Sequence, residues 1–231
     1  MEPPVARTRP APRLPAQAAN DAALEKRPRG RPRKTVEDRD DGNRRQELLR
    51  SAARLFRRKG FHATSTRDIA AAAGMQSGSP FYHFKSKGAL LYAVMEEGMR
   101  SAIERQQAAL LQAPAVVPDA AARLRLLIRH HFDILLGAGS DFIPVKLYES
   151  RSITVRQRAG LAQLQSEYEA PWAPVLQVLH AGGRLKADIK LARLLMFGAL
   201  NWSAQWYDRR QGATLDQLTD ATMQLFIGEN E

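Results

Sequence analysis

Two short helices joined at one glycine constrain this chain more than any other feature. In "ATSTRDIAAAAGM", Ser65 is a good N-cap and Asp68, three positions later, completes a capping box. Ile69, Ala70 and Ala73 face inward, and Gly74 stops the helix. "MQSGSPFYHFKSK" follows at once and reads as a second brief helix, from about Gln76 to Phe84, with Phe81 and Phe84 as its core-facing anchors. A tight turn between two such helices is a helix-turn-helix unit.

The flanks complete a small helical domain. Leu48, Leu49, Ala52, Leu55 and Phe56 fall at helical spacing among Arg44, Arg45, Arg54, Arg57 and Arg58. They predict an amphipathic helix over 44–59, capped by Gly60 and packed across the pair. A long helix is predicted from Lys87 to Gln112, before Pro114. Further helices are expected near 119–137, 141–152, 154–180, 188–209 and 214–227, the third kinked by Pro171 and Pro174 and ended by Gly182-Gly183. No alternating strand pattern or repeat is visible, so the fold class is all-α. The domains expected are an arm over 1–43, a helix-turn-helix domain over 44–90 and a helical domain over 91–231.

In a helix-turn-helix unit the second helix enters the major groove of DNA. Gln76, Ser77, Ser79, Tyr82 and His83 remain for its outer side, and Gly78 lets the backbone approach closely. The charge agrees. Of a net +11, residues 44–100 hold 11 Lys/Arg against 4 Asp/Glu, and such a field attracts polyanions. At "AARLFRRKGFHATSTRDIAAAAGM" and "SGSPFYHFKSKGALLYAV" the chain resembles the TetR family of bacterial repressors. It departs from that pattern at Pro80, where an aliphatic residue is usual, and at Phe81, where tyrosine is common. The resemblance implies base contacts from Gln76, Ser77 and Ser79. It implies phosphate contacts from Ser65 or Thr66 and from Tyr82, His83 and Lys87. Packing is the plainer reading of Tyr82 and His83, and a solvated surface position that of Lys87.

Residues 1–43 hold seven of the thirteen prolines and few large apolar side chains, so they are expected to be disordered in the free protein. Within them "KRPRGRPRK" has six cations in nine residues. Arg29-Gly30-Arg31-Pro32, continued by Arg33, matches the AT-hook core. Glycine lets such a ribbon touch the floor of a narrow A·T-rich minor groove, proline keeps it extended, and arginines seek the potential there. The alternative is a polycation that raises affinity for any DNA.

From residue 101 onward charge is nearly balanced, which argues against further DNA contact. The family resemblance implies a ligand-binding and dimerising domain here. Leu194, Leu195, Gly198 and Trp202 form one stripe, with Ala199, Ser203 and Ala204 nearby. Leu215, Leu218, Thr222, Leu225 and Phe226 form a second, and the two together suit a four-helix homodimer interface. Phe132, Leu136, Phe142, Tyr148, Tyr168, Trp172, Val175 and Trp202 are candidates to line an apolar pocket, although each also suits plain core. "NWSAQWYDRRQGATLDQLTDA" resembles TetR-type regulators of fatty-acid and sterol breakdown, which answer to acyl-coenzyme A thioesters. The implied partners are thus an operator DNA, an apolar or amphipathic effector such as an acyl-CoA, and a second copy of the chain.

Other classes fit less well. No cysteine is present, so disulfides and thiolate chemistry are excluded. Hydrolase, P-loop, dinucleotide and metalloprotease motifs are missing, so no enzyme and no cofactor are expected. His130 and His131 point about 100° apart on a helix and make a poor metal pair. A membrane-surface protein would need a strongly apolar face opposite the basic one, and the 44–59 stripe is needed for packing. No apolar run approaches the roughly 20 residues of a membrane span, and the start lacks a signal-peptide stretch, so a cytoplasmic location is expected.

Overall fold

The computed structural model describes residues 36–75, 80–112, 119–208, 210 and 212–227, and these form ten helices and no strand. They are α1 (Val36–Lys59), α2 (Thr66–Ala72), α3 (Pro80–His83), α4 (Lys87–Gln112), α5 (Ala120–Leu136), α6 (Phe142–Glu149), α7 (Val155–Glu169), α8 (Trp172–Ala181), α9 (Ile189–Trp206) and α10 (Leu215–Phe226). A 3-10 turn, Ser150–Ser152, follows α6.

Local chemistry accounts for the boundaries. Leu48, Leu49, Ala52 and Phe56 bury one face of α1, and Gly60, at φ +81°, takes the left-handed conformation that ends it. The Asp68 N–H donates to Ser65 Oγ (3.0 Å) and the Ser65 N–H to Asp68 Oδ2 (3.1 Å), so the capping box of α2 is complete. Thr154 with Gln157 and Thr214 with Gln217 repeat the device on α7 and α10. Gly74, at φ +67°, turns the chain out of α2.

Two boundaries differ from the sequence expectation. Helix α1 begins at Val36 rather than at residue 44, so part of the segment read as disordered is helical. The expected 154–180 helix is two helices, α7 and α8, parted at Ala170-Pro171. Pro171 begins a new helix there instead of kinking an old one.

Helix α4 is the spine. It packs along α1, α5, α6 and α7, and the core runs continuously from Leu48 and Phe56 through Leu91 and Met95 to Leu127, Ile128 and Trp172. Gly98 marks the closest approach of α4 and α6, because a Cβ there would lie 2.7 Å from Phe142 Cβ.

Candidate DNA interface and effector cavity

The capped start of α2 presents Ser65 to solvent, with Thr66 half-buried and Arg67 exposed beside it. On α3, Tyr82 is 79% exposed and stacks edge-on against half-buried His83 (ring centroids 5.2 Å apart). A large aromatic this exposed on a basic domain is available to a partner, so Tyr82 is not a packing residue. Phe84 is buried beneath the Arg45 guanidinium, which lies 5.2 Å from its ring centre. The expected base contacts Gln76, Ser77, Gly78 and Ser79, the side chain of Phe81, and the arm residues Arg29, Gly30, Arg31 and Arg33 lie outside the described residues.

Lys87 has partners within the domain that its sequence position did not suggest. Its Nζ donates to the carbonyl oxygens of Phe61 (2.9 Å), Thr64 (2.9 Å) and His62 (3.5 Å), and lies 4.4 Å from the centre of the Phe61 ring. An ammonium has three N–H donors, and three carbonyls take them. Lys87 therefore braces the α1–α2 turn from the start of α4. The buried Thr64 hydroxyl adds a second brace, donating to the carbonyl of Gly60 (2.8 Å). The polypeptide pattern marked Lys87 as important without revealing its partners. Arg67, exposed two residues after Ser65, is an interface candidate that motif reading passed over.

Helix α6 ties this domain to the rest. Arg57 Nη1 donates to the Ser140 carbonyl (2.9 Å) and to Asp141 Oδ1 (3.0 Å). The Phe61 N–H donates to Glu149 Oε1 (2.9 Å). Asp141 and Glu149 stand at opposite ends of α6, so both ends are bonded to the DNA-side domain.

The other side of α6 lines an inner cavity of about 30 Å³ among α4, α5, α6, α7 and α9. Its apolar wall includes Met99, Ala102, Ile134, Ile143 and Phe197. Its polar wall is ordered by hydrogen bonds. His131 is buried, and burial holds its pKa down at about 4, so the ring is neutral. Asn201 Oδ1 faces His131 Nε2 (3.2 Å), which puts the ring proton on Nε2 and leaves Nδ1 to accept from the Tyr168 hydroxyl (3.1 Å). Lys146 Nζ donates to Gln165 Oε1 (2.7 Å), and Gln165 Nε2 donates to Glu169 Oε1 (2.7 Å). The Arg193 guanidinium takes the other Glu169 oxygen. Burial also lowers the Lys146 pKa, an effect that nearby Glu169 opposes.

An outer cleft of about 240 Å³ shares Ala102, Ile134 and Ile143 with this cavity. Gln46 and Arg50 of α1 and Arg105 of α4 stand around it. Among the described residues no group of three or more His, Asp or Glu stands close enough to hold a metal, and no helix is long and apolar enough to cross a membrane.

The expected pocket residues scatter. Tyr168 lines the inner cavity and Phe142 the outer cleft. Phe132, Leu136 and Trp172 are core, with the Trp172 and Phe197 rings 4.6 Å apart. Tyr148 is 44% and Trp202 65% exposed, and neither lines the inner cavity or the outer cleft. Hydrophobicity nominated these residues, yet the polar lining residues Lys146, Gln165 and Asn201 carry no sequence signal distinct from an ordinary helix surface. Of the arginines near this domain, Arg129 pairs with Asp216 (2.7 Å).

Trp202 belongs to a different surface. With Leu191, Leu194, Leu195 and Trp206 it forms an exposed apolar band on α9, where a Cβ at Gly198 would meet nothing. Leu225 on α10 is 82% exposed. The expected α10 stripe is divided, because Leu215 turns into the core.

Residues 48–94 match the family described as bacterial regulatory proteins, tetR family, and residues 117–228 match the tetracyclin repressor-like C-terminal domain. The HTH-type transcriptional repressor KstR2 of Rhodococcus jostii is 28% identical over 187 residues, which span 80% of this chain and 89% of that one. The crystal structure of superantigen PfiT is 35% identical, with a TM-score of 0.66 over 80% of this chain and 96% of that one. That of AibR in complex with isovaleryl coenzyme A and operator DNA is 25% identical, with a TM-score of 0.70 over 79% and 97%.

Proposed function

Since the chain belongs to the TetR family of bacterial transcriptional regulators, we propose that it is a homodimeric repressor that an acyl-CoA thioester releases from its operator. One observation carries the effector half of this reading: an outer cleft and an inner cavity share a wall, and α6, bonded at both ends to the DNA-side domain, lines both. A thioester has the matching shape, a bulky anionic nucleotide on a narrow chain. Arg50 and Arg105 suit the phosphates, and the Ala102–Ile134–Ile143 wall suits the chain. AibR, solved with isovaleryl coenzyme A and operator DNA, supports the same ligand class.

On the DNA side, Ser65, Thr66, Tyr82 and His83 are proposed phosphate contacts, joined by Arg67, while Gln76, Ser77 and Ser79 are proposed to read bases beside Gly78. Arg29, Gly30, Arg31 and Arg33 are proposed to lie in a flanking minor groove. The exposed Leu191–Trp206 band supports a dimer, since an apolar patch of this kind marks an interface.

The release mechanism follows from size. A cavity of about 30 Å³ holds one or two waters at most. The cavity opens to solvent beside exposed Gln165, but an acyl chain lodged within it must displace a wall, and α6 is the short wall that also holds Arg57 and Phe61. A ligand shifts DNA affinity only through its differential affinity for the two conformations, and DNA must weaken the ligand equally. The test is fluorescence anisotropy on a DNA fragment selected from a random pool, with acyl-CoAs of two to eighteen carbons titrated in. Loss of DNA affinity with at least one thioester is expected; an unchanged affinity with every one sinks the reading.

A further inference from the structure

The polar wall of the inner cavity has a direction. From Tyr168 the bonds run to His131 and then to Asn201, whose oxygen is consumed and whose amide N–H groups are left over. From Lys146 they run through Gln165 to Glu169, whose two oxygens are consumed by Gln165 and Arg193. Each chain leaves donors at the cavity: the remaining ammonium protons of Lys146 and the amide protons of Asn201. The Glu169 carboxylate is paired with Arg193, whereas Lys146 bonds only the neutral Gln165, so Lys146 brings a positive charge to this wall that no carboxylate within ion-pair distance offsets.

A wall of donors with surplus positive charge is matched by an acceptor carrying negative charge. A saturated chain end would leave these donors without partners once water is expelled, which is costly for amide protons and more so for an ammonium. Taking the acyl-CoA reading as given, we infer that the effector's acyl chain ends in a carboxylate, held by Lys146 and Asn201. Its chain crosses the Ala102–Ile134–Ile143 wall from the outer cleft, and its terminal oxygens meet the donors at the far end. The ligand class is the monothioester of a dicarboxylic acid.

Matched pairs separate this from a general preference for thioesters. Glutaryl-CoA and pentanoyl-CoA share a five-carbon chain and differ only at its end, as do adipyl-CoA and hexanoyl-CoA. Calorimetric titration of the full-length protein should favour the carboxylate member of at least one pair by on the order of tenfold or more, the worth of a charged hydrogen bond. Lys146→Met should abolish that ratio and Lys146→Arg should retain most of it, with both variants melting cooperatively. Asn201→Ala should reduce it. If the plain thioester binds as well as its partner in both pairs, the inference is wrong while the regulator reading stands. The same holds if Lys146→Met weakens both members equally, because Lys146 then meets a group common to both. If none of the four thioesters binds and none moves DNA affinity, the inference fails; if the wider acyl-CoA series is equally inert, the acyl-CoA reading fails with it.

Discussion

Lys87 Nζ and the Phe61 carbonyl oxygen are 2.9 Å apart, and the same ammonium lies 4.4 Å from the centre of the Phe61 ring. One residue thereby satisfies carbonyls of the turn between α1 and α2, covers an aromatic of that turn and fixes where α2 starts. The orientation of α2 and α3 toward DNA is thus set partly from α4.

This geometry changes what Lys87→Ala should do. Three carbonyls lose the ammonium, and of these only that of Phe61 keeps a second donor, the Thr64 N–H, so stability should fall by about 1–3 kcal/mol. DNA affinity should fall for all sequences alike, since the α2 start is no longer held. The slope of log affinity against log salt should stay the same, because no phosphate contact is removed. Urea unfolding and binding at three salt concentrations check this; a slope flatter by about one unit, with stability unchanged, restores the phosphate role.

Features set within one turn of chain were legible in the sequence, and features set by distant pairs were not. The Ser65–Asp68 box and the Gly60 and Gly74 stops depend on neighbours three or four residues away. The break at Pro171 was half-legible, since a proline marks a helix interruption without saying whether the helix resumes. Lys87 meets carbonyls 23 to 26 residues earlier, and Arg57 meets Asp141 across 84 residues, pairings that no local pattern encodes. Trp202 shows the limit of hydrophobicity as a guide: it placed the residue equally well in a pocket or on a dimer stripe, and only its 65% exposure separates the two.

Stability should fall with mild acid. His131 has its folded pKa depressed to about 4 from an ordinary 6.5, and burial lowers that of His130 as well. For a depressed pKa the unfolded chain binds protons first, so stability is fully present above about pH 6.5 and drains as pH falls toward 4. For His131 alone the loss is on the order of 3 kcal/mol. Urea unfolding from pH 7.5 to 4.5 should show this decline, and His131→Gln should flatten much of it. An identical decline in the variant assigns it to other groups.

Gly98→Ala tests the fit of α4 against α6. The added methyl would lie 2.7 Å from Phe142 Cβ and 3.3 Å from the Phe142 carbonyl carbon, so α6 must move or α4 bend. Overpacking of this kind costs about 1–3 kcal/mol. The displacement lies in the direction proposed for ligand-driven release, so DNA affinity without effector should also fall, by more than Ala→Gly reversion at an exposed α4 site changes it. Equal melting temperatures for variant and parent show that the two helices do not touch so closely.

The bonds at the two ends of α6 give the sharpest test of coupling. Glu149→Ala removes the acceptor of the Phe61 N–H, and Arg57→Ala removes the donor to Ser140 and Asp141. Neither residue lines the inner cavity, so thioester affinity measured without DNA should change by less than about twofold. Coupling between distant sites is commonly about 1–3 kcal/mol, and an element that carries it through two bonds should lose a sizeable part when both are cut. Thioester affinity should therefore be measured with and without bound DNA for the parent, each single variant and the double variant. The ratio should approach one in the double variant, with each single variant between. If both variants lower the melting temperature yet leave the ratio unchanged, the bonds only hold the domains together. The signal then passes directly from α4 to α1.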